Sequence, residues 1–277
     1  MIYSPRADLR GVYIIWYRDV LRFWRNRSRF LSSLGQPVLF LLVFGTGLSA
    51  AFRGASGGNF GGAESYADFL YPGIVGMAVL FTSVFSAMST VWDREFGFLR
   101  EVLVAPVSRW SVAVGKVLGG STQAVFQGCI VLLLAPLVGL PLSVPLILQM
   151  LVLMFVLAFA MTSLGIAVAS RIKTLEGFGV VVNLLVMPLF FLSGALFPLS
   201  AIPAWLTVLT RLDPATYGVD ALRRVVLLST GSSPQEVATI SVTLFGHVLT
   251  IWQDLLILVA FALVMLLLAA HWFEKLQ

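Results

Sequence analysis

Between Phe30 and Phe273 the chain carries six long apolar stretches, and none of its 18 basic or 13 acidic residues falls inside them. Their limits are Phe30–Ala51, Phe69–Trp92, Val117–Gly139, Leu146–Ser170, Phe178–Phe197 and Leu255–Phe273. A helix advances about 1.5 Å per residue, so about 20 apolar residues cross about 30 Å of hydrocarbon. Every stretch is long enough. The expected fold is all-α: a polytopic membrane protein with six transmembrane helices in one domain over residues 1–277. A composition 59% hydrophobic and 11% charged agrees, since soluble domains run near 25% charged. The first run follows 29 residues of basic sequence and is too long for a signal-peptide core, so it reads as a retained span.

Orientation follows from the cations. With the N-terminus in the cytoplasm, 14 of the 18 Lys and Arg residues fall on inner segments, leaving Arg53, Arg211, Arg223 and Arg224 outside. Positive residues near span ends stay cytoplasmic, so both termini are expected on the cytoplasmic side. The pI near 9.7 is then a matter of topology and anionic lipid contact. Nucleic-acid binding would need a soluble basic surface, and the pattern supplies none. The lone Cys129 excludes a disulfide within the chain.

Residues 1–29 read as a cytoplasmic interface helix. Leu9, Val12, Tyr13, Trp16, Val20 and Trp24 recur at helical spacing, beside a basic stripe of Arg18, Arg22, Arg25 and Arg29. The pattern fits a helix lying in the membrane surface, aromatics down and arginines toward headgroups or a partner. It serves either as a simple anchor or as a docking platform. The piece from Pro198 to Asp254 is external yet rich in apolar residues, and Pro198, Pro203 and Pro214 break it into lengths too short to span. Over 198–224 it fits either re-entrant half-helices or a surface-lying loop.

Catalytic constellations are absent. His247 and His271 stand far apart, and no metal-ligand cluster, nucleophile elbow, zinc-protease motif or phosphate loop occurs. Ion- and proton-coupled carriers generally hold charges at mid-membrane. Here the interior polar residues are neutral, among them Gln36, Gln123, Gln127 and Asn183. Gln123 and Gln127 share one helix face, suited to interhelical hydrogen bonds or to a solute. If such a chain transports a solute, the energy must come from elsewhere.

The stretch 93–109 joins two apolar runs with an apolar face (Phe96, Leu99, Leu103) and a charged one, Gly97 permitting a bend and Pro106 stopping the helix. Held between two spans, such a helix is a rigid lever. The run WDREFGFLREVLVAPVSRWSVAVGK (Trp92–Lys116) resembles the signature of the type-2 ATP-binding-cassette export permeases, the family of the daunorubicin-resistance permeases. FLYPGIVGM (Phe69–Met77), FFLSGALFPLSAIPAWL and LDPATYGVDALR resemble the family's second span and the region after its fifth.

The resemblance implies a permease without enzyme activity of its own and with no cofactor bound, ATP and Mg being held by a separate ATPase. Two ATPase copies and a second permease, as a homodimer, would complete the assembly within membrane lipid. The coupling segment would be Asp93, Arg94, Glu95, Phe96, Gly97, Leu99, Arg100, Glu101, Pro106, Ser108 and Arg109. Trp16, Arg18, Arg22 and Arg25 of the interface helix would dock beside it. The pathway would be lined by Phe40, Phe44, Phe81, Phe85, Gln123, Gln127, Asn183, Phe190 and Phe191, and closed outside by Pro198, Pro203, Trp205, Pro214 and Tyr217. Such a lining suits export of an amphipathic or lipophilic drug-like molecule and lacks charges for an ionic one; a lipid-linked glycan or cell-wall lipid is the alternative cargo. A passive channel or secondary carrier is the more distant alternative.

Overall fold

The computed structural model describes residues 5–25, 35–48, 66–97, 108–199, 202–244 and 247–274. Leu99, Arg100, Glu101 and Pro106 of the coupling segment lie outside the described residues, as do both ends of the first apolar stretch. The helices are α1 (Pro5–Arg25), α2 (Gly35–Gly45, wound as a π-helix over Leu41–Leu48), α3 (Tyr66–Ser86), α4 (Met88–Glu95), α5 (Arg109–Leu132) and α6 (Val144–Ala169). They continue as α7 (Leu175–Leu192), α8 (Ala204–Leu212), α9 (Pro214–Ser229), α10 (Pro234–Ile240) and α11 (Ile251–Glu274). A two-residue hairpin, β1 (Thr243–Leu244) with β2 (His247–Val248), precedes α11.

Helix starts follow local chemistry. The first backbone N–H groups of a helix lack intrahelical acceptors, and a short polar side chain just ahead supplies one. Ser108 does so for α5, Ser143 for α6, Thr174 for α7 and Asp213 for α9. Ser233 and Glu236 form a reciprocal capping box at α10. Pro214, at the first turn of α9, loses no hydrogen bond there.

Four helices are long and apolar enough to cross a membrane among the described residues: Asp68–Glu95, Val144–Ala169, Leu175–Leu192 and Ile251–Phe273. The third apolar stretch, expected at Val117–Gly139, is displaced. The helix begins at Arg109 and ends at Leu132, and Ala135–Val138 form a separate 3-10 turn. Its first half is polar and small (Ser111, Gly115, Lys116, Gly119, Gly120, Ser121) yet buried, because α1, α3 and α6 pack around it instead of lipid. Tyr71 of α3 donates to the carbonyls of Val131 and Leu132 at 2.8 and 3.0 Å, tying α3 to the end of α5.

Gly115 and Gly119, one turn apart, set how closely α1 approaches. A Cβ at Gly115 would fall 2.9 Å from the Ile15 Cβ, and one at Gly119 would fall 3.0 Å from the Asp19 Cβ. Small residues at this spacing let backbones meet closely where lipid supplies no hydrophobic drive. Behind α5, α6 packs against α11, and α9 wedges between α3, α6 and α11 with nearly every residue buried.

Overpacking a tight contact costs roughly 1–3 kcal/mol. Gly115→Leu is therefore expected to lower the thermal unfolding midpoint of the purified chain. Gly179→Ala, where an added Cβ meets nothing within 4 Å, is expected not to lower it.

Candidate functional site

The face of α1 that meets α5 is Gly11, Ile15 and Asp19, spaced one turn apart. Leu9, Tyr13, Ile14, Tyr17 and Trp24 lie on the exposed side. The aromatic residues expected to face the membrane are thus mostly exposed, while two of the arginines expected to face headgroups or a partner are taken up within the protein. Trp16 donates its indole N–H to the Thr122 hydroxyl at 3.0 Å, and Arg18 and Arg22 turn inward.

They turn toward Asp93, at the end of α4, whose side chain is 0% exposed. Arg18 donates to its Oδ2 at 2.6 Å, Arg22 to its Oδ1 at 3.2 Å, and Lys116 of α5 to its Oδ2 at 2.6 Å. Lys116 also reaches Asp19 at 3.2 Å and the Ser89 hydroxyl at 3.4 Å. A carboxylate removed from water must be paired and hydrogen-bonded to stay charged. Three cations from two other helices meet that requirement, so α1, α4 and α5 are fastened at one point.

Two further ties extend the block. Asp8 near the start of α1 accepts the Ser108 backbone N–H at 2.8 Å and the Ser111 hydroxyl at 3.0 Å. The Ser108 N–H, more than any other contact, holds the Asp8 carboxyl below its usual range. Beside Asp93, Arg94 donates to the carbonyls of Ile172 and Ser170 at 2.7 and 2.9 Å. Glu95 accepts the Leu175 N–H at 2.9 Å, capping α7. Both side chains point at the 170–175 turn. Phe96 stacks on Trp92 with ring centres 4.7 Å apart, and Gly97, at φ 83, ends the described part in a backbone region that L side chains rarely adopt. Arg109 is the first helical residue of α5.

The aromatic residues expected along a pathway converge in part. Phe40 of α2 and Phe81 of α3 both meet Phe190 of α7 edge-on, at 5.9 and 5.8 Å. Phe44, Phe85 and Phe191 join them at 5.1, 6.3 and 5.4 Å from their nearest ring in the group. Beside this group a cavity of about 420 Å³ opens between Phe23, Gln36, Met77, Phe81, Phe85 and Gln123. Gln123 also donates to the Asp19 carbonyl at 3.2 Å, Gln127 is buried, and Asn183 lies on the exposed face of α7.

At the opposite end α8 and α9 break at Asp213. Pro203 caps α8 and Trp205 is exposed, whereas Pro214 and Tyr217 are buried. The Tyr217 hydroxyl donates to the Arg211 carbonyl at 2.6 Å. Pro198 follows α7 and is half-buried. Arg223 donates to the Gly194 carbonyl at 2.6 Å and lies 4.0 Å over the Phe69 ring. Arg224 pairs with Asp220 at 2.7 Å and donates to the Leu249 carbonyl.

The chain matches the model of a family described as ABC-2 type transporter over residues 10–227. The transport permease ycf38 of Cyanophora paradoxa is 31% identical over 258 residues, 92% of this chain and 86% of that protein. Nodulation protein J of Rhizobium leguminosarum bv. trifolii is 26% identical across 80% of each chain. The inner membrane transport permease YadH of Escherichia coli (strain K12) is 26% identical across 76% of this chain and 80% of its own. The chain belongs to the ABC-2 type transporter family. It is a membrane transport permease built of apolar helices. The family match begins within α1 and ends within α9, so it takes in the Asp93 cluster together with the segment that emerges from it.

For an ABC-2 permease, the residues that sequence reasoning missed are Asp8, Asp19, Lys116 and the 170–175 turn. Asp19 and Asp8 are the acids of an otherwise basic helix, and Asp8, Ile15 and Asp19 share a face, which was the available signal. Nothing in the sequence marks Lys116 as their partner.

Breaking a buried ion pair by removing one member costs roughly 3–5 kcal/mol. Asp93→Ala is expected to destabilise the purified permease on that scale. Adding Lys116→Met should cost less than the sum of the single changes, as a double-mutant cycle in thermal unfolding would read. Asp213 supplies a pH test: burial raises its carboxyl to about 7, against the pull of the Ala215 N–H and the Thr216 hydroxyl. The folded state then binds more protons than the unfolded one between the ordinary carboxylate range near 4 and about 7, so this residue's contribution to stability falls as pH rises through that window. Asp213→Asn should flatten that part of the pH–stability curve; an identical slope in the variant would contradict the assignment.

Proposed function

We propose that the chain is the transmembrane half of an ATP-driven exporter, paired with a second copy of itself and with two copies of a separate ATPase that hold ATP and Mg. Its spans are the six apolar stretches, the third taken as α5, both termini are cytoplasmic, and the membrane is the prokaryotic cytoplasmic membrane. The end carrying α1 and Asp93 is the inner end. The 198–224 region, with α8 and the start of α9, is a re-entrant gate at the outer end.

The observation that carries this reading is the block built on Asp93. The coupling segment 93–109 leaves the block at Asp93 and re-enters it at Ser108, and both residues are bound to α1. A push on that segment is therefore delivered to α1, to the end of the second span and to α5 together, and through Arg94 and Glu95 to α7 as well. Rigid-body displacement of packed helices is a common way of converting a local event into alternating access. As the helices lining the seam between copies shift, the Phe40, Phe81 and Phe190 group would pass an amphipathic or lipophilic molecule from the inner leaflet outward.

The test is reconstitution into vesicles. Export should require the ATPase and ATP, and the ATPase should co-purify with the chain. Glu95→Lys removes the cap on α7, a charge-assisted hydrogen bond of about 1.5–3 kcal/mol, and should lower export at least about tenfold. Glu95→Gln keeps an acceptor oxygen and should retain most of it. Vectorial export without the ATPase would contradict the proposal.

A further inference from the structure

The apolar cavity beside the Phe81 group is not closed at its inner end. A second cavity of about 310 Å³ shares Phe23, Met88 and Gln123 with it, and is lined further by Asp19, Arg22, Ser86 and Trp92. A third, of about 450 Å³, shares Arg22 with the second and is bounded by Arg18, Leu21 and Arg25. Through these shared residues the three adjoin one another along α1, the third lying on the face of that helix alone. The cleft is apolar where α3 lines it, polar at Gln123 and Ser86, and cationic at its mouth.

The charge at that mouth is unbalanced. Among the described residues, Arg18, Arg22, Arg25 and Lys116 gather there against Asp19 and Asp93, an excess of two positive charges. Asp93 is engaged by three of these cations and Asp19 by Lys116 and Arg18. Arg25 makes no ion pair among the described residues and is exposed. Beside it on α1, Tyr17, Leu21 and Trp24 are exposed apolar groups. Aromatic and basic residues so mixed belong at the depth of lipid headgroups.

We infer that this cleft binds an amphiphile with an anionic head group, taken from the inner leaflet, its tail against Met77, Phe81 and Phe85 and its head between Arg22 and Arg25. A neutral lipophile would leave the excess charge of the mouth unmet, and a free anion would leave the adjoining apolar cavity unfilled. Basic pockets between helices on the cytoplasmic side are suited to anionic head groups. Each of the first two cavities falls within the size range of a small-molecule site, about 300–1,000 Å³, and both mix apolar and polar lining. The inference rests on the exporter reading for the orientation of the cleft, and it revises the expectation that the pathway offers nothing to an ionic cargo.

The experiment is native mass spectrometry of the purified full-length chain with phosphatidylglycerol, with phosphatidylcholine of the same acyl chains, and with inorganic phosphate. Each cation near a surface contributes about 1 kcal/mol toward an anionic lipid, so phosphatidylglycerol should be retained at least about fivefold more than phosphatidylcholine. Arg25→Glu, at an exposed position outside the ion cluster, should erase that preference. Thr82→Phe, which narrows the apolar end, should lower retention of both lipids. Equal retention of the two lipids, a preference that survives Arg25→Glu, or retention that survives Thr82→Phe would overturn the inference. Displacement of phosphatidylglycerol by equimolar inorganic phosphate would also overturn it, by making the site one for a free anion. Neither ATP nor the ATPase is needed, so a chain that selects phosphatidylglycerol but never exports defeats the exporter reading alone. An exporter without that selectivity defeats this inference alone.

Discussion

A carboxylate with no exposed surface, at the end of a membrane helix, is tolerable only if its neighbours bring positive charge to it. Asp93 imposes that condition on one end of this permease, and Arg18, Arg22 and Lys116 meet it. The consequence is geometric. Two of the cations are on α1 and the third is on α5, so neither helix can part from α4 without stranding charge in a poorly solvated place. Such a cluster is weak evidence for added stability. Its effect is to fix one arrangement of three helices against alternatives that would leave a charge unpaired.

Other features of that end serve the same arrangement. Gly115 and Gly119 remove the side-chain bulk that would hold α1 away, bringing Asp19 within reach of Lys116. Asp8 pins the near end of α1 to the start of α5, and Trp16 pins its middle to Thr122. Arg94 and Glu95, adjacent to Asp93, carry the connection to the 170–175 turn and so to α7. The segment that enters and leaves this block is the natural place for an external force to act. Since α7 brings Phe190 to Phe40 and Phe81, the aromatic group lies one rigid element away from that point.

Much of this was legible from the residues. The charge-free runs that became α6, α7 and α11 are long and uniformly apolar, and nothing competes with that pattern. The third run was misplaced because the first half of α5 is lined with Gly, Ser and Lys116, residues that read as the edge of a span. They are buried by protein rather than lipid, which hydropathy along one chain does not register. The arginines of α1 read as a stripe turned toward headgroups or a partner; that Asp93 claims two of them could not be read, because it lies about 70 positions away on another helix. Arg223 and Arg224 read only as outer-side cations; that Arg224 pairs with buried Asp220 and Arg223 reaches the Gly194 carbonyl depends on packing, which the sequence does not register. Phe40, Phe81 and Phe190 were named from their runs alone; that they touch one another is a fact of packing.

The central claim is that α1 and α5 move as one body when the transporter works. The direct measurement joins them covalently. In a Cys129→Ser background, Trp16→Cys and Thr122→Cys, at the positions of a 3.0 Å hydrogen bond, are bridged by a short bifunctional thiol reagent, and ATP-driven export by the assembled transporter is compared before and after. The account predicts that the bridged transporter still exports. Loss of export on bridging, recovered when a cleavable bridge is cut, would show that α1 must slide on α5 and would contradict the account.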